Sequence, residues 1–256
     1  MANTDAGNFI WYDLLTSDPG AAVAFYEHVF DWTSSGLGDG ADYAMFSTAQ
    51  GMLGGAGKLP EPMKRQGVPA HWQGAVKVAD VDAKAAQAEK MGGRVYFPPT
   101  DYPEAGRIAV IADPLGAVIK LFAPLQNKGA HDANQPGEFA WRELLSQEHE
   151  TALAFYSQLF GWKRMRDHDM GAMGKYVIFG SGGVELGGMF TKPKEVPMSA
   201  WIYYVNVADL NATLSRAKAK GATVVAGPMD VPGGSRIVQL TDPQGAIFAL
   251  LERTTP

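Results

Sequence analysis

The chain has 256 residues, 46% hydrophobic and 19% charged, with 22 basic against 27 acidic side chains for a net charge of −5. That is enough chain for one large domain or two of about 100–150 residues, and without clustered Lys and Arg no nucleic-acid partner is expected. No apolar run reaches the roughly 18 residues of a membrane span, and the absence of cysteine excludes a disulfide framework, a thiolate metal site and a Cys nucleophile.

The opening "MANTDAGNF" has neither the basic nor the apolar region of a secretory signal, so a cytoplasmic location is expected. "FIWYDLL" is short and apolar-rich, which predicts a strand. "SDPGAAVAFYEHVFDW" then offers Ser17 or Asp18 as N-cap and Pro19 at the first helical position. Ala22, Phe25, Tyr26, Val29 and Phe30 recur in it at helical spacing. "YAMFST" and "GMLGGAGKL" read as a hairpin around a Gly-rich turn, not as a phosphate loop, since no Lys-Ser/Thr ends it and no helix follows. "WQGAVKVAD" is a strand running into the helix "VDAKAAQAEKMGG", closed by glycine. The strands "RVYFPP", "GRIAVIAD" and "AVIKLFAP" follow, the last two joined by a DPxG turn.

The order then repeats. Trp11 recurs as Trp141, Phe25-Tyr26 as Phe155-Tyr156 and Trp32 as Trp162, each 130 residues on. "VADVDA", Arg107-Ile108 and "DPLGAVIKL" recur as "VADLNA", Arg236-Ile237 and "DPQGAIFAL", 129 residues on. A repeat of this length is a small domain, not a solenoid unit. The expected division is a first domain over 6–125, a polar linker over 126–137, and a second domain over 138–253. Each copy reads as two βαβββ-like units, giving an α+β fold.

In order, spacing and duplication, the strand–"SDxxxAxxFYxxxFxW" unit, the Gly-rich hairpin, the strand–"VxDxDA" unit and the terminal "DPxGxxxxL" resemble the vicinal oxygen chelate superfamily of glyoxalase I, bleomycin-resistance proteins and extradiol dioxygenases. The resemblance implies tandem glyoxalase-like domains, built of paired βαβββ modules whose curved mixed sheets form a cleft. It also implies where metal-dependent members keep their ligands. Those positions fall here on Trp11 and Trp141 in the first strands, on Ala75 and Tyr204 in the strands before VxD, and on Lys120 and Ala249 in the last strands. Glu185 is the ionisable candidate in the hairpins.

Indole presents only an N–H donor, Ala has no donor atom and the Lys ammonium repels a cation. No metal and no cofactor are therefore expected. The five histidines do not restore a site: only His71 enters a strand expected to form the cleft, and His168 reads as lying in a polar loop.

Strand alternation puts Trp11 with Asp13 and Trp141 with Glu143. Each acid either ties the modules together through hydrogen bonds or ion pairs, or serves as a general base raised in pKa by an aromatic cleft. Lys120 is the electrostatic partner in the second case. Trp11, Trp141, Trp72, Trp201 and Tyr204 are candidates for contact with a flat ligand. Arg107 and Arg236 can clasp a carboxylate or phosphate, or pair with Asp101 and Asp230. The expected function is a metal-independent, bleomycin-resistance-like protein, monomeric or homodimeric, that binds a small apolar or aromatic molecule. A lyase or isomerase using a cleft carboxylate is the alternative. A divalent-metal lactoylglutathione lyase-like or dioxygenase-like enzyme, and a non-catalytic assembly role, complete the set.

Overall fold

The computed structural model describes residues 6–36, 42–126 and 131–254; residues 1–5 of the opening stretch and 127–130 of the expected linker lie outside them. The first copy runs β1 (Phe9–Thr16), α1 (Pro19–Phe30), β2 (Thr33–Ser35), β3 (Tyr43–Thr48), β4 (Gly51–Lys58), α2 (Glu61–Arg65), β5 (His71–Lys77), α3 (Val81–Lys90), β6 (Arg94–Tyr102), β7 (Gly106–Ala112) and β8 (Val118–Pro124). The second runs β9 (Phe139–Ser146), α4 (His149–Phe160), β10 (Lys163–Asp169), β11 (Lys175–Ser181), β12 (Val184–Thr191), β13 (Ala200–Asn206), α5 (Leu210–Ala219), β14 (Thr223–Asp230), β15 (Arg236–Thr241) and β16 (Ile247–Glu252). Each copy forms a mixed eight-stranded sheet, in the orders β2-β3-β4-β1-β5-β8-β7-β6 and β10-β11-β12-β9-β13-β16-β15-β14. The fold is α+β.

The local signals act as read. Asp18, Asp80 and Asp209 cap α1, α3 and α5 through backbone N–H groups three residues on, and Glu148 caps α4. The strand β10 is a difference from the sequence reading, which leaves His168 in a loop. Its residues KRMRDHD are exposed apart from half-buried His168, so this edge strand carries no apolar alternation to read. Arg166 clamps it to β12 through a bidentate pair with Glu185, at 2.6 and 3.0 Å.

The compact units of the chain are not the sequence repeats. One gathers Met1–Ile10, Gly74–Ala130 and Arg142–Trp201; the other gathers Trp11–Gln73, His131–Trp141 and Ile202–Pro256. Each unit therefore joins a βαβββ module of one copy to a module of the other.

Inside each unit the repeated motifs of opposite copies bond to one another. In the second unit the Trp32 indole donates to the Gly137 carbonyl at 2.8 Å, just ahead of β9. In the first, the Trp162 indole donates to the Gly7 carbonyl at 2.6 Å, just ahead of β1. The Tyr26 hydroxyl of α1 donates to the Asp242 carboxylate of the second DPxG turn at 2.9 Å, and accepts from the Trp72 indole at 2.9 Å. Tyr156 of α4 accepts from Trp201 at 3.4 Å and lowers the Asp113 pKa as the equivalent donor, although Asp113 Oδ2 makes no hydrogen bond among the described residues. Asp113 and Asp242 are buried, and burial raises their pKa values against the lowering effect of backbone N–H and tyrosine donors. The repeated motifs of opposite copies interlock pairwise.

Residues 131–137 of the expected linker are bonded to the second unit. Gln50, in the β3–β4 turn, exchanges two hydrogen bonds with the Asp132 backbone, and Asn206 donates to the Asn134 carbonyl. His131 Nδ1 meets the buried Glu138 carboxylate at 2.8 Å, and the Thr48 hydroxyl donates to the same group. The Glu138 carboxylate raises the His131 pKa.

Candidate functional site

On β1 the residues Tyr12 and Leu14 are buried in the aromatic core beneath α1, where Tyr12 stacks on Phe139 at 3.8 Å. Strand parity turns Trp11, Asp13 and Leu15 to the helix-free face. There Asp13, 4% exposed, accepts the Tyr43 hydroxyl at 2.6 Å and the Trp11 indole N–H at 3.0 Å on a single carboxylate oxygen. The indole N–H is shared with the Tyr43 oxygen, also at 3.0 Å. Burial of its hydroxyl, then the Asp13 charge, raises the Tyr43 pKa far above the phenol range, so Tyr43 stays a hydrogen-bond donor. The residue as a whole is 38% exposed; its hydroxyl end is the packed part.

Glycine makes this arrangement possible. Gly55 of β4 lies in register with Asp13, and a Cβ there would sit 2.3 Å from the Tyr43 hydroxyl. A Cβ on Gly54 would sit 2.1 Å from the Tyr12 carbonyl of the paired strand. The second copy repeats the device: Gly188 is in register with Glu143, its missing Cβ is replaced by the Tyr176 ring, and Tyr176 donates to Glu143 at 3.0 Å. The Gly-Gly steps of "GMLGGAG" and "VELGGMF" thus make room for a tyrosine to reach the acid of the first strand. Tyr43 and Tyr176 are the site residues that sequence reasoning missed. The available signal was a strand tyrosine facing a glycine pair in both copies.

Lys120 is the register partner of Ala75 across β5 and β8, and Tyr204 that of Ala249 across β13 and β16. The pairs of positions named by the resemblance are thus neighbours in the fold. Lys120 falls in the unit of Glu143, whereas Asp13, Trp11, Trp141 and Tyr204 fall in the other. The Tyr204 hydroxyl, fully buried, accepts from Gln239 at 2.7 Å. Trp72 and Trp201 stand on the helix-facing side, 6% and 8% exposed, their indole N–H groups engaged by Tyr26 and Tyr156. Arg107 is bound bidentately by Asp82, at 2.5 and 2.8 Å, and by Asp101 at 2.9 Å. Arg236 is held more loosely, with Asn211, Glu252 and Asp230 at 3.4, 3.6 and 3.8 Å, because Asn211 replaces the second carboxylate. His71 Nδ1 donates to the Pro69 carbonyl at 2.8 Å, and burial lowers its pKa.

A divalent cation requires several converging N or O donors at about 2.0–2.5 Å. The positions carried over from metal-dependent relatives present instead two indoles, that of Trp11 turned toward a carboxylate, two alanines, a lysine, a tyrosine hydroxyl already accepting a hydrogen bond, and a glutamate, Glu185, whose carboxylate is clamped by Arg166. These residues do not fit a divalent metal. Among the described residues no group of three or more His, Cys, Asp or Glu side chains gathers at a cation-binding spacing.

The family model of the Glyoxalase/Bleomycin resistance protein/Dioxygenase superfamily matches residues 8–121 and again residues 139–250. The chain belongs to this superfamily. It is 34% identical over 245 residues to the proposed glyoxylase CFP32 of Mycobacterium tuberculosis, a match covering 94% of this chain and 93% of that one. It is 30% identical over 258 residues to the anthracycline biosynthesis protein DnrV of Streptomyces peucetius, covering 94% and 92%. Among solved structures, the Mn(II)-bound glyoxalase from Novosphingobium aromaticivorans superposes with a TM-score of 0.67 at 18% identity, covering 98% of this chain and 83% of that chain. The 2,3-dioxygenase LapB from Pseudomonas sp. KL28 gives 0.63 at 13% identity, with 98% and 92% covered. At those identities the likeness is one of fold. The superfamily thus accounts for the tandem modules, and no helix among the described residues is long and apolar enough to cross a membrane.

Proposed function

We propose that this glyoxalase-like protein binds a small, flat aromatic molecule on the helix-free face of its sheets, independently of a metal, with the repeats over 6–125 and 138–253 acting as its two domains and 126–137 as their connection. One observation carries the reading: where metal-dependent relatives place a ligand, Trp11 spends its indole N–H on Asp13 and Tyr43. That cluster has the character of a ligand site, an apolar flat surface with a few fixed polar groups. Trp11, Trp141 and Tyr204 are its proposed contacts, with Trp72 backing it from the helix side, and Trp201 is proposed to play that part in the unit that holds Glu143. Arg107 and Arg236 are proposed to tie turns to helices. The anthracycline biosynthesis relative supports an aromatic ligand of polycyclic size. The site is proposed to work in the cytoplasm, in a monomer or homodimer.

The test is metal analysis of protein purified without chelator, then a thermal-shift panel of flat aromatic carboxylates and quinones with and without EDTA. Binding that survives EDTA in metal-free protein is expected. A stoichiometric divalent metal whose removal abolishes binding would sink the proposal. A second reading, a lyase or isomerase with Asp13 or Glu143 as general base and Lys120 as electrostatic partner, is favoured by the burial of both acids on this face. Turnover abolished by Asp13→Asn or Glu143→Gln, with ligand affinity kept, would select it.

A further inference from the structure

The helix-free faces of the two copies share the tyrosine–acid pair but differ at one neighbouring register position. In the second copy Phe190 of β12 lies in register with Leu145 on one side and Tyr176 on the other. Its ring packs on Tyr176 with centroids 5.8 Å apart and a tilt of 31°. Leu145 beneath it is buried. The first copy has the same row, Leu15 and Tyr43, but the residue between them is Gly57. Leu15 is there only half-buried and Tyr43 is exposed. A cavity of about 520 Å³ opens at this point, lined by Leu15, Tyr43, Gly57 and Lys58 and by two acids, Asp42 and Glu61, the latter paired with Lys64 at 3.0 Å. That volume lies within the range of small-molecule sites.

We infer that this cavity receives an aromatic ring of the ligand, seated against Tyr43 as Phe190 is seated against Tyr176, with an anionic substituent turned to Lys58. The second copy thereby carries in its own side chain a replica of the bound ring. At this register position the first copy carries Gly57 where the second carries Phe190. Ring against ring favours offset or tilted packing, the geometry that Phe190 and Tyr176 already adopt. Lys58 stands at the rim, its side chain half exposed and 3.9 Å from the still more exposed Asp42. So loose a pair yields readily to a ligand carboxylate or phenolate. The inference rests on the proposed function, which places an aromatic molecule on this face, and adds which copy takes it, which chemistry it bears and which residue excludes it from the other copy.

The experiment uses the whole chain and two probes, anthraquinone-2-carboxylate and its neutral carboxamide, titrated by calorimetry. One bound carboxylate per chain is expected. Gly57→Phe, which copies the second repeat, should weaken it by about tenfold or more while the fold is retained. The Tyr43 ring, 3.0 Å from an added Cβ, has to give way slightly, and a tilted ring pair of this kind is already accommodated by Phe190 and Tyr176. The reverse change, Phe190→Gly, removes an internal ring and should raise the stoichiometry from one to two. Lys58→Ala should weaken the carboxylate by about two- to fivefold and leave the carboxamide unchanged. Wild-type affinity in folded Gly57→Phe, or unchanged stoichiometry in Phe190→Gly, overturns the inference while leaving the wider reading standing. If wild-type protein binds no flat aromatic at all, both fall.

Discussion

Replacing Tyr26 by Phe tests whether the cross-copy hydrogen bonds hold the fold. The hydroxyl lost is fully buried, donates to Asp242 at 2.9 Å and accepts from the Trp72 indole at 2.9 Å. Its removal strands a neutral donor and deprives a buried carboxylate of one donor. At about 1–3 kcal/mol for a stranded buried group, and more for a charged one, the loss should come to about 2–4 kcal/mol. For a chain of this size that corresponds to a fall in Tm of roughly 4–16 °C. The loss should also depend on pH. Burial raises the Asp242 pKa in the folded state. Its contribution to stability is therefore present below the ordinary carboxylate range and is lost as pH rises through the folded value. The Tyr26 donor opposes that loss by stabilising the ionised form, so the Tyr26→Phe deficit should grow with pH across this window. Urea unfolding of both proteins at a series of pH values measures it. A deficit under about 1 kcal/mol, or one independent of pH, would refute the idea that Tyr26 sustains the buried charge.

Tyr156→Phe should cost less than Tyr26→Phe, because its bond from Trp201 is longer, at 3.4 Å; paired urea midpoints decide it. His131 has its pKa raised by Glu138, so its contribution is complete below the ordinary histidine range and fades as pH rises through the folded value; His131→Gln should flatten the stability curve there. Gly55→Ala places a methyl 2.3 Å from the Tyr43 hydroxyl and 2.4 Å from the Ala44 carbonyl, so the Tyr43–Asp13 bond should break. Trp11 fluorescence and tyrosine titration read that change, and an unaltered titration would count against the packing described. Trp32→Phe leaves the buried Gly137 carbonyl without its indole donor and should lower stability by about 1–2 kcal/mol, again read in urea.

Caps, helices, the duplication and the superfamily were legible because each rests on local pattern: Asp18 before Pro19, helical spacing through Phe30, DPxG between strands. What was not legible depended on distance in sequence. Nothing near Tyr26 indicates that its hydroxyl is met by Asp242, 216 residues away. Edge strand β10 lacked alternation because both of its faces meet solvent, so its polar residues resembled a loop. Asp13 was recognised as a buried acid with a Trp beside it, and the parity rule that joined them holds in the structure. The same rule separates Trp72 from Ala75, an odd number of residues apart, and Trp72 indeed packs under α1. Tyr43 escaped notice because its role depends on two absent side chains, those of Gly55 and Gly57, and sequence patterning weighs the residues present.

The pairing of modules across copies explains how a duplicated chain can keep its fold while its two faces part ways. On the helix side the copies match in kind: Trp32 with Trp162, Tyr26 with Tyr156, Asp242 with Asp113, each holding the opposite copy. A change in either member would strand a buried partner, so these positions are mutually constrained. On the helix-free side the register partners have diverged: Asp13 against Glu143, Gly57 against Phe190, Ala75 against Tyr204, Lys120 against Ala249. Divergence on this face is what the proposed single site requires, with Gly57 in the first copy where the second carries Phe190.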